Sequence, residues 1–204
     1  MTEQSINGVG IVIPAFNEEG AISSGIREIR EAMDPQDYEY EIIVVDDGSQ
    51  DRTAELARAE GVTVLSMPEN RGYGASLKTG IRHSSFDTIV ITDADGTYPA
   101  HYIPGLVDQL GQYDMVVGAR TGEHVAVPMI RRPAKWLLRV LASYLAGRHI
   151  PDLNSGLRVM KRDLVRRFAL SENDFRKSFP QGSVMIDMRK INVFISNMAQ
   201  LTGR

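Results

Sequence analysis

The chain has 204 residues, of which 43% are hydrophobic and 24% are charged, as in most globular domains. This length predicts one domain with a substantial core. The formal net charge of −3 provides no global positive field, so nucleic-acid binding is not expected. Because cysteine is absent, disulfides, zinc–thiolate sites and a cysteine nucleophile are excluded.

The sequence opens without a charged leader followed by an apolar core, and it contains no run of 18 apolar residues. Neither a secretory signal nor a membrane-spanning helix is therefore predicted. A cytoplasmic location is the resulting expectation.

Apolar runs alternate with helical patterns from the beginning of the chain to Gly118. The predicted strands are residues 9–14, 41–46, 62–66, 88–92 and 114–118. The predicted helices are residues 18–33, 51–60, 73–83 and 101–110. Strands that alternate with helices predict an α/β fold, in which helices cover both faces of a mostly parallel sheet.

The regular alternation stops after Gly118. Residues 119–128 are predicted to form a loop, and residues 133–147, from Pro133 to Gly147, a helix. A further strand is predicted at residues 156–161 and a short helix at residues 162–170.

Three polar clusters directly follow the first, second and fourth predicted strands. They are Pro14-Ala15-Phe16-Asn17-Glu18, Asp46-Asp47-Gly48-Ser49 and Asp93-Ala94-Asp95-Gly96. Ligands of open parallel sheets bind at the carboxyl ends of the strands. We therefore expect the three clusters to meet at one edge of the sheet.

Asp93 and Asp95 present two carboxylates one residue apart, just past an apolar strand. Oxygen ligands of this kind suit Mg²⁺ or Mn²⁺, which keeps part of its water and bridges a diphosphate. The alternative is a solvated turn in which an aspartate caps the next helix.

Asp46 and Asp47 could accept hydrogen bonds from a nucleobase or from ribose hydroxyls. Alternatively, Ser49 or Asp51 simply caps the helix that follows. Both interpretations can hold together, because the helix needs a cap whatever the ligand does.

Arg71-Gly72-Tyr73-Gly74 leads into a helix that contains Lys78. Glycines before a helix allow an anion to approach backbone N–H groups, and Arg71 and Lys78 would add positive charge. The segment matches neither a Walker A loop nor a complete dinucleotide-binding motif, so an ordinary glycine loop is the alternative.

Two later segments carry further candidates. The predicted helix 133–147 has apolar faces and a cationic stripe, which indicates either a core helix with a solvated edge or an interfacial helix beside anionic lipid. Arg158 follows a glycine-containing turn and could bind a phosphate with two nitrogens. The alternative for Arg158 is a surface ion pair with Asp152 or Asp163.

Together these motifs resemble those of the family 2 glycosyltransferases of GT-A fold, and within them the dolichyl- or polyprenyl-phosphate sugar synthases. The motifs are Pro14-Ala15-Phe16-Asn17-Glu18-Glu19, Val45-Asp46-Asp47-Gly48-Ser49, Asn70-Arg71-Gly72-Tyr73-Gly74, Asp93-Ala94-Asp95, Gly118-Ala119-Arg120 and Asp152-Leu153-Asn154-Ser155-Gly156-Leu157-Arg158. The resemblance extends over residues 9–170. It implies a GT-A (Rossmann-like) catalytic domain at residues 1–170, with an atypical tail at residues 171–204.

The resemblance also implies roles for individual residues. A nucleotide-sugar pocket would include Pro14, Ala15, Asn17, Glu18, Asp46, Asp47, Arg71, Gly72, Lys78, Asp93 and Ala94. Asp95 would bind Mg²⁺ or Mn²⁺ directly, and Asp93 would lie near the ribose and the metal. Arg120 and Arg158 would contact phosphate groups. The group often has a glutamine two residues after the second aspartate, whereas this chain has Thr97.

The implied reaction is an inverting transfer from a UDP- or GDP-sugar to a polyprenyl or dolichyl phosphate, with the protein peripheral at the cytoplasmic face of a membrane. An anionic lipid phosphate needs no general base. A saccharide hydroxyl would need one, and Asp152 is the candidate. A non-catalytic nucleotide-sugar binding module is an alternative. A pyrophosphorylase-like nucleotidyltransferase fits less well, because the turn after the first strand is acidic rather than basic.

Overall fold

The computed structural model of the protein describes residues 6–111, 113–120, 156–169 and 191–196. Within these ranges seven strands form one sheet, in the spatial order β3-β2-β1-β4-β6-β5-β7. The strands are β1 Gly8–Ala15, β2 Glu39–Asp46, β3 Thr63–Ser66, β4 Thr88–Ile91, β5 Met115–Arg120, β6 Arg158–Lys161 and β7 Ile191–Ser196. The helices are α1 Ile22–Met33, α2 Thr53–Ala59, α3 Tyr73–His83, α4 Ile103–Asp108 and α5 Arg162–Ala169.

The predicted mostly parallel sheet is confirmed. Strand β1 pairs in parallel with β2 and β4, β2 pairs in parallel with β3, and only β6 is antiparallel to its neighbours among the described strands. Ala15 lies opposite Asp46, and Val12 lies opposite Ile91. The register therefore brings the carboxyl ends of β1, β2 and β4 to the same edge.

Helices cover both faces of the sheet. Successive side chains of a strand point to opposite faces, so each strand contributes to a core on either side. Ile11 and Ile13 of β1 pack in one core with α1 and α4, whereas Val12 packs in the other core with α3. At Gly80 of α3, an added Cβ would lie only 2.4 Å from Val12 Cγ1, so this helix lies very close to the sheet. Strands buried on both faces are apolar throughout, which explains why their sequences were recognisable.

Three predicted helices differ from the structure, and the one predicted at residues 51–60 is the shorter helix Thr53–Ala59. The helix predicted at residues 18–33 begins only at Ile22, because the Glu18 carbonyl accepts the N–H groups of Ala21 and Ile22 and closes a turn first. The helix predicted at residues 101–110 is α4 flanked by two short 3-10 segments. Proline fits only the first turn of an α-helix, and the α-helical part accordingly begins next to Pro104.

The structure also changes the prediction beyond Gly118. Strand β5 continues to Arg120, so Ala119 and Arg120 belong to a strand rather than to the predicted loop. Strand β7 was not predicted, yet it pairs in parallel with β5 over six residue pairs. One segment of the predicted tail 171–204 thus belongs to the same sheet. The predicted helix 133–147 lies outside the described residues.

In the described part of the chain, every helix is too short or too polar to cross a bilayer.

Candidate active site

The carboxyl ends of the central strands surround a cleft of about 260 Å³. It is lined by Pro14, Ala15, Phe16, Glu18, Asp47, Asn70, Gly72, Tyr73, Ser76, Asp93, Ala94 and Asp95. Each of the three polar clusters contributes to this lining. Four of the side chains are carboxylic acids, and the lining residues, all within the described ranges, include no lysine or arginine.

Hydrogen bonds join the loop after β1 to the loop after β2. The Asn17 N–H donates to Ser49 Oγ at 2.9 Å, and the Gln50 N–H donates to Asn17 Oδ1 at 2.9 Å. Asn17 has a φ of 57°, a left-handed conformation that asparagine tolerates better than most residues. The structure therefore uses Asn17 to hold the two loops together, and its side chain is not among those that line the cleft.

Asp51 lies at the centre of a second set of contacts between these loops. Its Oδ1 accepts the hydroxyl of Thr53 at 2.5 Å and the N–H of Thr53 at 3.0 Å, and its Oδ2 accepts the N–H of Glu19 at 3.1 Å. The Thr53 hydroxyl is the main reason why the pKa of Asp51 lies below its ordinary value. The N-cap of α2 is Arg52, which makes no side-chain cap bond, so the cap predicted at Ser49 or Asp51 is not formed; Asp51 instead accepts the N–H of Thr53, the first residue of the helix.

Asp46 and Asp47 are both buried, and both bind backbone N–H groups. Asp46 Oδ1 accepts the N–H of Ser49 at 3.0 Å. Asp47 accepts the N–H of Arg71 at 2.9 Å and that of Gly72 at 2.8 Å, which ties the loop before α3 to β2. A carboxylate oxygen can accept more than one hydrogen bond, so Asp47, which lines the cleft, keeps capacity for a ligand.

This arrangement changes the interpretation of the glycine loop. The N–H groups of Arg71 and Gly72 were expected to be open to an anion, but a carboxylate of the protein itself occupies them. Gly72 adopts a φ of 88°, which favours glycine. The side chains of Arg71 and Lys78 do not line the cleft. A ligand contact by Arg71, Gly72 or Lys78 stays a prediction.

Three carboxylates lie close enough to influence one another at the cleft. The pKa of Glu18 is raised by its burial and by the negative charges of Asp95, Asp51 and Asp93. Asp95 is exposed, and its Oδ1 accepts the N–H of Thr97 at 2.9 Å, which is the turn considered as an alternative. The turn uses one oxygen of Asp95 and leaves the other available at the cleft.

The segment before β6 closes against Asp93. The N–H of Gly156 donates to Tyr98 Oη at 2.7 Å, and a Cβ added at Gly156 would lie 2.0 Å from Asp93 Oδ2. Gly156 and Tyr98 were not predicted as site residues, although a glycine in a predicted strand, here residues 156–161, is a recognisable sign of close backbone approach.

Tyr73 lines the cleft together with Asp93, and the charge of Arg158, which is not among the lining residues, acts on Tyr73. Tyr73 is only partly buried, and this partial burial raises its pKa to about 12; the charge of Asp93 and a hydrogen bond to it add to the increase, and Arg158 opposes it. Tyr73 and Phe16 are the exposed large hydrophobic residues of the described part, at 50% and 42%, and both line the cleft. Neither was predicted as a binding residue.

Arg158 lies at the start of β6, opposite Ile91 of β4 and Val117 of β5. From this register, Arg120 at the end of β5 lies farther towards the edge that carries the cleft. The structure thus brings the backbone of Arg120 to the predicted edge. Asp152 lies outside the described residues, so its proposed role stays a prediction.

The donor set suits a hard divalent cation. The described residues contain no group of three Asp, Glu, His or Cys side chains arranged to enclose a metal. Mg²⁺ and Mn²⁺ sites that also engage a substrate diphosphate typically need only one or two protein carboxylates, because water and phosphate oxygens complete the shell. Asp93 and Asp95, with Glu18 nearby, meet that requirement.

An α/β sheet of this order, with an acidic cleft at the strand ends, agrees with the GT-A fold that the motifs predicted. Residues 10–169 match the model of the family described as glycosyl transferase family 2. The chain belongs to this family and is a glycosyltransferase, as its motifs predicted.

Two curated relatives are transferases named for a polyprenyl-type phosphate. The chain is 34% identical over 175 residues to a dolichyl-phosphate hexose transferase of Haloferax volcanii, a match that covers 85% of the chain and 75% of that protein. It is also 34% identical over 173 residues to an undecaprenyl-phosphate 4-deoxy-4-formamido-L-arabinose transferase of Pseudomonas fluorescens. That second match covers 81% of the chain but only 50% of the relative.

Solved structures agree in fold. Glucosyl-3-phosphoglycerate synthase from Mycobacterium tuberculosis, in complex with Mn²⁺, UDP and glucosyl-3-phosphoglycerate, matches with a TM-score of 0.67 and 25% identity. The match covers 93% of the chain and 70% of that enzyme.

Proposed function

We propose that the protein transfers a sugar, with inversion, from a UDP- or GDP-sugar to a polyprenyl or dolichyl phosphate, and that Mg²⁺ or Mn²⁺ assists the transfer. The observation that carries this proposal is the acidic cleft at the ends of β1, β2 and β4. Four carboxylic acids line it, and two of them are only one residue apart.

A nucleoside diphosphate is itself anionic, so such a cleft would repel it without a cation. A divalent cation between the carboxylates and the diphosphate removes this conflict. A solved relative with Mn²⁺ and UDP supports this interpretation. We assign Asp93 and Asp95 as the residues that would hold the cation, which when bound neutralises the departing diphosphate as a Lewis acid.

The remaining residues would bind and orient the donor. Pro14, Ala15 and Glu18 form the wall contributed by β1, and Asp47 forms the wall contributed by β2. Asp47 would accept hydrogen bonds from the nucleoside with the capacity that its two backbone contacts leave. Arg158 and Arg120 would meet phosphate groups of the donor or the acceptor.

A lipid phosphate is the acceptor that best fits the chemistry. It is already anionic at neutral pH and requires no general base. Both curated relatives named above act on a polyprenyl-type phosphate by their names. If the acceptor were a saccharide hydroxyl instead, Asp152 would be the candidate base. A lipid-phosphate acceptor would also suit peripheral contact with the cytoplasmic face of a membrane through residues 133–147.

The first experiment measures the midpoint of thermal unfolding with UDP, GDP and their hexose derivatives, each with Mn²⁺, with Mg²⁺ or with EDTA. A ligand that binds only the folded state raises the midpoint by mass action. We expect the unfolding midpoint to rise only when nucleotide and cation are both present. Radiolabelled transfer from the stabilising donor to polyprenyl phosphate in detergent then tests the acceptor, with a soluble saccharide as the comparison.

Absence of any cation-dependent nucleotide effect would contradict the donor site. Binding without transfer to either acceptor would favour the non-catalytic module. Transfer to the saccharide alone would contradict the lipid acceptor and direct attention to Asp152.

A further inference from the structure

Thr53 occupies an unusual position for a helix residue next to a ligand cleft. Its side chain is completely buried, at 0% exposure, and it does not line the cleft. Its Oγ1 donates to Asp51 Oδ1 at 2.5 Å and accepts the N–H of Glu18 at 2.7 Å. A hydroxyl has one proton and two lone pairs, so the two contacts use it in complementary directions.

The contact with Glu18 joins two regions of the chain. Glu18 follows β1, whereas Thr53 begins α2, and 35 positions separate them in the sequence. The carbonyl of Glu18 is held at the start of α1, because it accepts the N–H groups of Ala21 and Ile22 at 3.0 and 2.9 Å. The backbone of Glu18 is therefore held between two helices.

The neighbouring contacts between these loops are more exposed. The bonds from Asn17 N–H to Ser49 Oγ and from Glu19 N–H to Asp51 Oδ2 lie at exposed positions, whereas the bond from Glu18 N–H to Thr53 is partly buried. Water competes less well for a buried hydrogen bond, so the Thr53 contact is the most persistent of the three. It is also the one that acts directly on the residue whose side chain lines the cleft.

We propose that Thr53 is a positioning residue, whose hydroxyl fixes the backbone of Glu18 and thereby sets where the Glu18 carboxylate lies in the cleft. The proposal rests on the proposed function, because it assigns Glu18 to nucleotide and cation binding. Thr53 itself touches neither the donor nor the cation. Its effect on binding passes through Glu18.

The central test compares Thr53→Val with Thr53→Ser. Valine keeps the shape of threonine but removes the hydroxyl, whereas serine keeps the hydroxyl. Loss of one hydrogen bond predicts roughly three- to tenfold weaker binding of UDP or GDP with Mn²⁺ for Thr53→Val. Thr53→Ser should restore wild-type affinity. Thr79→Val is the matched control, because the Thr79 hydroxyl donates only within α3, to the Ala75 carbonyl at 2.9 Å.

A double-mutant cycle separates positioning from a general loss of stability. If Thr53 acts through Glu18, Thr53→Val should weaken binding in the wild type but add little in a Glu18→Gln background. Equal effects of Thr53→Val in both backgrounds would overturn the proposal. Thr53→Ala replaces Thr53→Val in the cycle if the valine variant does not fold.

A measurement without ligand tests the geometry alone. Hydrogen exchange of the Glu18 amide should be faster in Thr53→Val than in the wild type or Thr53→Ser, and unchanged exchange would overturn the proposal. A wild-type protein that binds neither nucleotide with Mn²⁺ would overturn the proposed function and with it this role. Normal wild-type binding that is unaffected in Thr53→Val would overturn the positioning role alone.

Discussion

Charged side chains are arranged differently at the two edges of the sheet: cations with partners at one edge, and clustered carboxylates at the other. At the amino ends of β1 and β4 lies a cavity of about 560 Å³, lined by residues that include Lys161 and Arg162. Lys161 Nζ lies 2.9 Å from Asp114 Oδ1, and the Arg162 guanidinium donates to the carbonyls of Ser84 and Phe86. At the carboxyl ends lies a smaller cleft, of about 260 Å³, where carboxylates of like charge gather.

Charge arrangement, rather than cavity size, therefore distinguishes the edge that carries the candidate active site. Cations at the amino edge meet opposite partners, an arrangement that stabilises the fold. At the carboxyl edge, burial raises the pKa of Glu18 most, and the negative charges of Asp95, Asp51 and Asp93 raise it further, so the folded protein holds like charges close together. Clusters of this kind are typical of functional sites.

The largest expected effect at the carboxyl edge follows from Asp95→Asn. Metal assistance contributes several kcal/mol, so loss of a charged ligand should lower glycosyl transfer by about 100-fold or more. Asp37→Asn is the control, because Asp37 is an exposed residue just before β2, at the amino edge. Initial rates with Mn²⁺ measure both. Full activity of Asp95→Asn would remove Asp95 from the metal site.

The next effect tests the closed packing around Asp93. In Gly156→Ala the new Cβ would lie 2.0 Å from Asp93 Oδ2, and such overpacking costs about 1–3 kcal/mol. We expect lower stability in urea and at least about tenfold weaker nucleotide binding, as Asp93 is displaced. In the control Gly105→Ala, the new Cβ meets nothing within 4 Å, and this helix position should become slightly more stable. Unchanged binding by Gly156→Ala would separate Asp93 from the ligand site.

At the amino edge, Arg162→Met should change stability without changing function. The Arg162 side chain is only 11% exposed, and its loss leaves two carbonyl groups without their charged donor. We expect the free energy of unfolding to fall by about 1–3 kcal/mol, while nucleotide affinity stays at the wild-type value. Arg82→Met, at an exposed position of α3, should change either property little. A selective loss of nucleotide binding in Arg162→Met would break the distinction between the two edges.

The smallest effect concerns the pH dependence of stability in the metal-free protein. The pKa of Glu18 in the folded state is raised above its ordinary 4.5. Below pH 4.5, Glu18 is protonated in both the folded and the unfolded protein. As the pH rises through the folded-state pKa, the unfolded protein releases this proton more easily, so the fold loses stability. Glu18→Gln should therefore raise the unfolding midpoint at pH 7 in EDTA and leave it unchanged near pH 4.

Asp51 should contribute to the pH dependence of stability with the opposite sign to Glu18. Its pKa is lowered in the folded state, so its carboxylate stabilises the fold above its ordinary value of 3.8 and loses that contribution as the pH falls. Asp51→Asn should lower the midpoint at pH 7, whereas Glu31→Gln, at an exposed position of α1, should change it little. If the unfolding midpoint of Glu18→Gln at pH 7 were lower than that of the wild type, unfavourable burial and charge repulsion at Glu18 would be contradicted.

Much of the fold was predictable because burial leaves a local pattern. Strands β1, β2 and β4 are covered on both faces and therefore contain continuous apolar runs, and α3 was predicted with its observed limits, Tyr73–His83. Strand β7 was missed, because Ile191-Asn192-Val193-Phe194-Ile195-Ser196 neither alternates strictly nor is apolar throughout. Its assignment depends on its pairing with β5, which no local pattern records.

The site was predictable to a similar degree. The positions of Glu18, Asp93 and Asp95 at strand ends follow from chain order, whereas the parts played by Thr53, Tyr98 and Gly156 do not. The contact between Gly156 and Tyr98 spans 58 positions in the sequence, and no short-range spacing indicates it.

The sequence by itself determined the α/β class and the edge at which the polar clusters meet, because parallel strands joined by helices must carry their carboxyl ends to one side. Which acidic residues bind backbone N–H groups of the loops, and which line the cleft, is determined by tertiary contacts. Asp46 and Asp51 bind backbone N–H groups of the loops, whereas Glu18, Asp47, Asp93 and Asp95 line the cleft, and Asp47 also accepts two N–H groups of the loop before α3. A carboxylate of one loop reaches the N–H groups of another only after the sheet has brought distant segments together, so composition and spacing alone could not separate the two sets.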